Sequence, residues 1–241
     1  MNETPHATMN IEYILAFVAG FAEAACVLGL FTSFTTFITG TIVLSITDFA
    51  SNNPNYIIKL FILSAFIFLQ IFWIHLIKIL NKQKRNAVTV MLFIESCLMF
   101  LFFILGSYMG TLTSPYAANT FLVSFSAVAA MSLHSTIFFR VLNKKAPTHF
   151  MTGNSTNLFA AALEMLDNHR AYKSTGEAPY PQASTKAKYY FGVIFCFIFG
   201  VTLGTVGYKL WGFPSLLLPV LLVLLTALLS LKAERPPTAT S

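Results

Sequence analysis

Three ionisable side chains, Glu23, Glu95 and His134, fall inside long apolar runs where a membrane helix would carry them through hydrocarbon. Carboxylate and imidazole are groups that burial and a charged neighbour can tune to exchange protons near neutral pH, so the chemistry open to them is proton coupling. Two short motifs lie at matching distances beyond two of these residues. Thr39-Gly40-Thr41 follows Glu23, with Gly40 17 positions on, and Thr152-Gly153-Asn154 follows His134, with Gly153 19 positions on. The basic run Asn143-Lys144-Lys145 accounts for the difference. A Thr or Asn beside glycine can cap the first turn of a helix, and glycine allows close backbone approach. A helix start presents unpaired N–H groups and a positive dipole end, which suits an anion or the electronegative end of a polar solute. The expected substrate-binding set is therefore Thr39, Gly40, Thr41, Thr152, Gly153, Asn154, Glu23, His134 and Glu95. Within it, Glu23, Glu95 and His134 are the proton-coupling candidates, with a Glu23–His134 pair near a pseudo-symmetry axis as the preferred arrangement.

The elements that position these residues follow from composition. The 241-residue chain is 56% hydrophobic and only 10% charged, with 25 Phe, and its mean hydropathy is +0.71. Crossing a hydrocarbon core of ~30 Å takes roughly 20 helical residues. Six runs qualify, at about Ile11 to Phe31, Tyr56 to Leu80, Ala87 to Gly110, Ala117 to Val141, Tyr189 to Leu210 and Phe213 to Leu231. Two further apolar segments, Gly40 to Phe49 and Asn154 to Leu166, read as too short to cross, and each begins at a Thr-Gly motif. The expected fold is an all-α integral membrane protein forming a single membrane domain over 1-241. It comprises two inverted three-helix repeats, 11-110 and 117-232, each with a re-entrant Thr-Gly half-helix, and a cytoplasmic polar loop at 167-188. Duplicated units of this kind usually surround a central site. No removed signal peptide is expected, because the first apolar run lacks a small-residue cleavage site.

Charge placement gives an orientation. Lys78, Lys82, Lys84 and Arg85 bracket the loop after the second run, whereas Thr111 to Asn119 carries no charge. The positive-inside rule puts the first loop in the cytoplasm and the second outside. Arg140, Lys144 and Lys145, then Arg170, Lys173, Lys186 and Lys188, flank the second Thr-Gly segment on the cytoplasmic side. Both termini are expected there too, with Lys232 and Arg235 supporting the C-terminal placement. The net charge of +6 thus reports topology and not nucleic-acid binding.

Several residues have a bland reading beside a functional one. Glu95 is a hydrogen bond between helices or part of the site; Arg140 is a headgroup anchor or a partner for a buried acid. His149 is a re-entrant-loop contact or an interfacial residue, and His75 and Lys78 read as interfacial. The small-residue pairs Gly106/Gly110 and Gly200/Gly204 read as packing notches. Cys26, Cys97 and Cys196 read as small hydrophobes. No metal-ligand spacing, aspartate pair or phosphate-cradling loop is present, so neither enzyme activity nor a metal or other cofactor is expected.

Phe17-Val18-Ala19-Gly20-Phe21-Ala22-Glu23-Ala24, Phe37-Ile38-Thr39-Gly40-Thr41 and Thr148-His149-Phe150-Met151-Thr152-Gly153-Asn154 resemble the YoaK family of bacterial membrane proteins, a domain of unknown function. The run around Glu95 is similar to that family's third span, and the resemblance extends from about Ile11 to Lys232. Two positions depart from the family pattern: Thr41 stands where Asn is usual, and Glu23 where a shorter Asp is common. The resemblance implies a six-span protein of the bacterial inner membrane and supplies no substrate. The residues themselves favour a small secondary transporter or channel for a small anion or polar metabolite, lying in the lipid bilayer, proton-coupled and open to homo-oligomerisation. The rival reading is a non-transporting assembly partner, in which the buried acids join helices.

Overall fold

The computed structural model describes residues 5–83, 86–141, 151–175 and 181–233, with side chains over 11–83, 86–140, 151–167 and 183–231. Every regular element among them is helical: α1 (Pro5–Gly29), α2 (Ile38–Ala50), α3 (Tyr56–Lys82), α4 (Ala87–Met109), α5 (Ala118–Thr136), α6 (Met151–Thr175), α7 (Pro181–Trp211) and α8 (Leu217–Ala233). A π-helical turn, Ile137–Val141, extends α5, and a 3-10 turn, Phe213–Leu216, leads into α8.

Six of these helical stretches are long and apolar enough to cross a bilayer: Ile11–Gly29, Tyr56–Lys82, Ala87–Met109, Ala118–Arg140, Ala183–Trp211 and Phe213–Leu231. They coincide with the six runs expected from the sequence. Large apolar side chains face outward, including Phe68 and Ile71 on α3 and Phe191 and Phe195 on α7, whereas Glu23, Glu95, His134 and several Ser and Thr face inward. Apolar surface on that scale outside a polar-lined interior is the arrangement of a multi-pass membrane protein.

Local sequence sets the helix boundaries. Asn86 caps α4, its side chain accepting from the N–H groups of Val88 at 2.9 Å and Thr89 at 3.4 Å. Gly110 and Gly212 end α4 and α7 with φ of +65° and +67°, a left-handed conformation that glycine adopts without a Cβ penalty. Between α1 and α2 the chain turns through Phe31 and Thr32 at φ +52° and +59°. Positive φ is strained for a bulky residue and more so for a β-branched one.

α1 and α5 form the centre, α1 packing along α7 and α5 along α3, while α4 lies against both α5 and α8 and α8 also touches α1. The α1–α7 crossing is close because glycines line it. A Cβ on Gly200 would stand 2.1 Å from the Phe17 carbonyl oxygen, one on Gly20 2.2 Å from that of Phe197, and one on Gly204 2.6 Å from that of Phe21. Gly200 and Gly204 are thus the packing notch their spacing implies. The other expected notch divides: Gly106 receives the Phe213 ring, whereas Gly110 has open space around it and serves as the helix end.

α6 differs from the sequence expectation. The segment read as a short half-helix from Asn154 to Leu166 belongs to a 25-residue helix. The region 167-188 read as a polar loop supplies the end of α6 and the first turns of α7. Polarity suggested a loop, but Ala160, Ala161, Ala162, Glu164, Met165 and Leu166 are strong helix formers and Pro181 occupies the favoured first helical turn.

The α1–α7 contact gives a test. Gly200→Ala or Gly20→Ala should each cost about 1–3 kcal/mol, because the obstructing atoms are backbone and cannot step aside. Gly153→Ala, where a Cβ meets nothing within 4 Å, should leave the midpoint of thermal unfolding in detergent unchanged or slightly raised.

Candidate functional site

Glu23 reaches from α1 to the start of α2 and receives five hydrogen bonds. The backbone N–H of Thr35 and its hydroxyl donate to Oε2, each at 3.0 Å. The N–H of Thr36 at 2.6 Å, that of Phe37 at 3.2 Å and the Thr36 hydroxyl donate to Oε1. Phe37, at the N-cap position of α2, offers no side-chain acceptor of its own. The carboxylate therefore does in space what an N-cap residue does in sequence: it satisfies orphan N–H groups and meets the dipole with negative charge. The helix start expected to attract a solute anion already holds one of the protein's own, and this clasp also secures the strained Phe31–Thr32 turn.

The Thr-Gly residues occupy varied surroundings. Thr39 is exposed, and Gly40 packs under the Phe37 ring, whose Cδ1 would lie 2.4 Å from a Cβ there. Thr41 is buried and donates to the Phe34 carbonyl at 2.8 Å. In the second half Thr152 and Gly153 are exposed, and Asn154 is buried at 1% exposure. Among the described elements α2 packs on α3 and α6 on α7, and no contact joins α2 to α6. His149, with the chain leading into α6, lies outside the described residues, as do Asn143, Lys144, Lys145, Lys84, Arg85 and Arg235.

His134 pairs with Glu95 and not with Glu23. Its Nδ1 lies 2.7 Å from Glu95 Oε1, and both side chains have zero solvent exposure. The neighbouring turns are buried too, at Met91, Leu92 and Met99 of α4, Ala130 and Met131 of α5, and Ile137 and Phe138 of the π-helical turn. Glu95 Oε2 is buried with no hydrogen-bond partner among the described residues. A charge at mid-membrane costs ~2.5–3.5 kcal/mol on insertion scales. A carboxylate against an imidazole lowers that cost either by attraction between charges or by sharing one proton between two neutral groups. That choice makes this the contact with proton chemistry available to it.

Two further buried charges escaped the sequence reading. Lys59 on α3, 2% exposed, forms an ion pair with Asp48 of α2, and Asn53 Nδ2 donates to the other Asp48 oxygen at 3.1 Å. Asp48 lies in a segment read as simply apolar. The available signal was an acid and a base eleven residues apart, each alone in apolar sequence. Glu12, at the start of the first apolar run, is 1% exposed and sits against Tyr189. Arg140, His75 and Lys78 are exposed, in keeping with anchoring or interfacial places. No group of three or more His, Cys, Asp or Glu suited to a metal occurs among the described residues.

Six apolar helices around buried polar pairs define a polytopic membrane protein. A family model described as "Protein of unknown function (DUF1275)" matches residues 11–229, and the chain belongs to that family, which includes the YoaK proteins. Comparison with curated proteins and with solved structures returned no match.

The two acid clasps should respond differently to substitution. Glu23→Ala orphans three N–H groups and should cost about 1–3 kcal/mol, read as faster hydrogen exchange at residues 35–41 while the α4 amides keep their protection. Lys59→Met should destabilise by about 3–5 kcal/mol by leaving Asp48 unpaired, and the double variant Lys59→Met/Asp48→Leu should recover most of that loss in a thermal melt.

Proposed function

We propose that the protein is a proton-coupled secondary transporter or channel, not an enzyme, that moves a small polar or anionic solute, with Glu95 and His134 as the proton-carrying pair. The carrying observation is the 2.7 Å contact between two titratable side chains at zero exposure, with one carboxylate oxygen lacking a partner among the described residues. Hydroxyls suffice for one structural link between helices, the 2.8 Å Thr89–Ser230 contact of α4 with α8. In this reading Glu23 leaves the proton-coupling set, because both its oxygens are occupied by donors that belong to the fold.

Helix packing supports a duplicated architecture. Exchanging α1 with α5, α2 with α6, α3 with α7 and α4 with α8 carries α1–α7 onto α5–α3, α4–α5 onto α8–α1 and α2–α3 onto α6–α7, and leaves α4–α8 in place. Three spans per unit invert the second unit, which places the pseudo-symmetry axis near the α1–α5 contact, where inverted-repeat transporters hold their sites. The loop charges and the family resemblance favour the bacterial inner membrane with both termini cytoplasmic. The rival reading, a non-transporting assembly partner, draws on the saturation of Glu23, which is helix glue.

Proteoliposomes on a solid-supported membrane, given concentration jumps of small amino acids, monocarboxylates, phosphate and sulfate at pH 6 and pH 8, test the proposal. The wild-type protein should give a pH-dependent current with at least one of these. Glu95→Gln, which keeps shape and a hydrogen bond to His134, should reduce it to the level of protein-free liposomes. Silence from the wild type toward every solute, together with an infrared carboxyl band of Glu95 that does not change between those pH values, sinks the proton-coupled reading and favours assembly.

A further inference from the structure

The turn of α5 that carries His134 is gripped from behind. Ser132 and Thr136 lie four residues apart on one side of the helix. At about 100° per residue, His134 between them points roughly to the other side. α3 holds the Ser132/Thr136 side. Trp73 Nε1–H donates to Ser132 Oγ at 3.0 Å, Gln70 Nε2–H donates to the Ser132 carbonyl at 3.0 Å, and the Thr136 hydroxyl lies 3.0 Å from Gln70 Oε1. Both ends of the Gln70 amide are therefore engaged, and Gln70 and Trp73 sit three apart on one face of α3. On the opposite side α4 presents Glu95. One residue past Thr136 the helix widens into the π-helical turn Ile137–Val141, a local change of register of the kind that recurs at functional sites.

We infer that Gln70 and Trp73 are positioning residues for the Glu95–His134 pair, setting the rotation of α5 so that the imidazole meets the carboxylate. The inference rests on the reading of that pair as a proton site, although neither residue touches it. The clasp is separable from folding. The Ser132 carbonyl also lies 2.8 Å from the Thr136 hydroxyl, and the Ser132 hydroxyl also donates to the Ala129 carbonyl at 3.2 Å. Gln70→Leu or Trp73→Phe therefore orphans no α5 group, and each substitute keeps an apolar body of similar shape. What is lost is the restraint on rotation beside a π-helical turn that offers a second register.

The experiment uses the full chain in lipid nanodiscs with nitrogen-15 histidine, the His134 Nδ1 resonance being assigned by its loss in His134→Gln. The same preparations in proteoliposomes supply the current described above as a function of pH. Gln70→Leu and Trp73→Phe should each move or broaden the Nδ1 resonance and shift the pH midpoint of the current, with thermal midpoints close to wild type. Ser64→Ala, on the exposed side of α3, should change neither. An unmoved Nδ1 resonance in both variants overturns the positioning role, whatever the current does. A moved resonance with an unshifted pH midpoint overturns it as well, since the pair then works without the clasp. If the resonance moves but the wild-type protein carries no current, the positioning of His134 against Glu95 stands and the proton reading is what fails.

Discussion

Hydrocarbon offers no hydrogen bonds, and this shortage governs where each polar group of the chain is placed. A lone polar side chain can be tolerated at the surface of a soluble domain, but inside a bilayer it must find a partner within the protein. The consequence is visible helix by helix. Glu23 joins α1 to the start of α2, and Asp48 joins the end of α2 to Lys59 of α3. Trp73 and Gln70 join α3 to α5, Glu95 and His134 join α4 to α5, and Thr89 and Ser230 join α4 to α8. The α1–α7 contact adds a second device, glycines that bring two backbones together, beside the Glu12–Tyr189 contact. Lipid-facing apolar residues supply little drive for helices to associate, so these polar links and the glycine seam select the arrangement.

The short helix α2 shows the same constraint acting on an element that cannot span. Its 13 residues reach only about 20 Å, its outward side carries Val43, Ile46 and Phe49, and its inward side carries Thr41 and Ser45. Packed on α3 alone among the described elements, it is fixed at its two ends by acids from opposite directions in sequence, Glu23 ahead of it and its own Asp48. The strained turn at Phe31 and Thr32 is the cost of bringing residues 35–37 back under Glu23, and the five hydrogen bonds received there offset it.

The sequence was a good guide to the spans and a poor one to the pairings. Twenty-residue apolar runs reflect a length requirement imposed by the solvent, and all six appear within a few residues of their expected ends. The boundary of α6 was misread because polarity and helicity are separate properties, and a helix rich in Ala, Glu and Leu can be polar. Glu23, Glu95 and His134 were identifiable as buried from their apolar surroundings. Which acid meets the histidine was not, because periodicity fixes the face a residue occupies on its own helix and says nothing of the azimuth or height of the helix opposite. Equivalent positions in two repeats suggested Glu23 with His134, whereas symmetry relates environments and does not require the related residues to touch. Asp48 and Lys59 were overlooked for a simpler reason: each is a single charge in an otherwise apolar segment, and only folding brings them together.

Partner chemistry separates Glu23, Asp48 and Glu95 into different roles. Glu23 faces donors fixed in the backbone and in two threonines, groups that cannot change charge, so its environment is matched to an acceptor that stays in place. Asp48 faces a lysine and an asparagine, an arrangement that pins a helix end. Glu95 faces an imidazole, whose ring nitrogen can serve as donor or acceptor, and it retains an oxygen with no donor among the described residues. The Glu95–His134 contact is thus one that can rearrange without leaving an orphaned backbone group behind. Its geometry depends on how α5 is turned, and α5 is turned by α3, which also anchors α2 through Lys59. A single 27-residue helix, α3, therefore touches both α2, through Lys59, and α5, through Gln70 and Trp73.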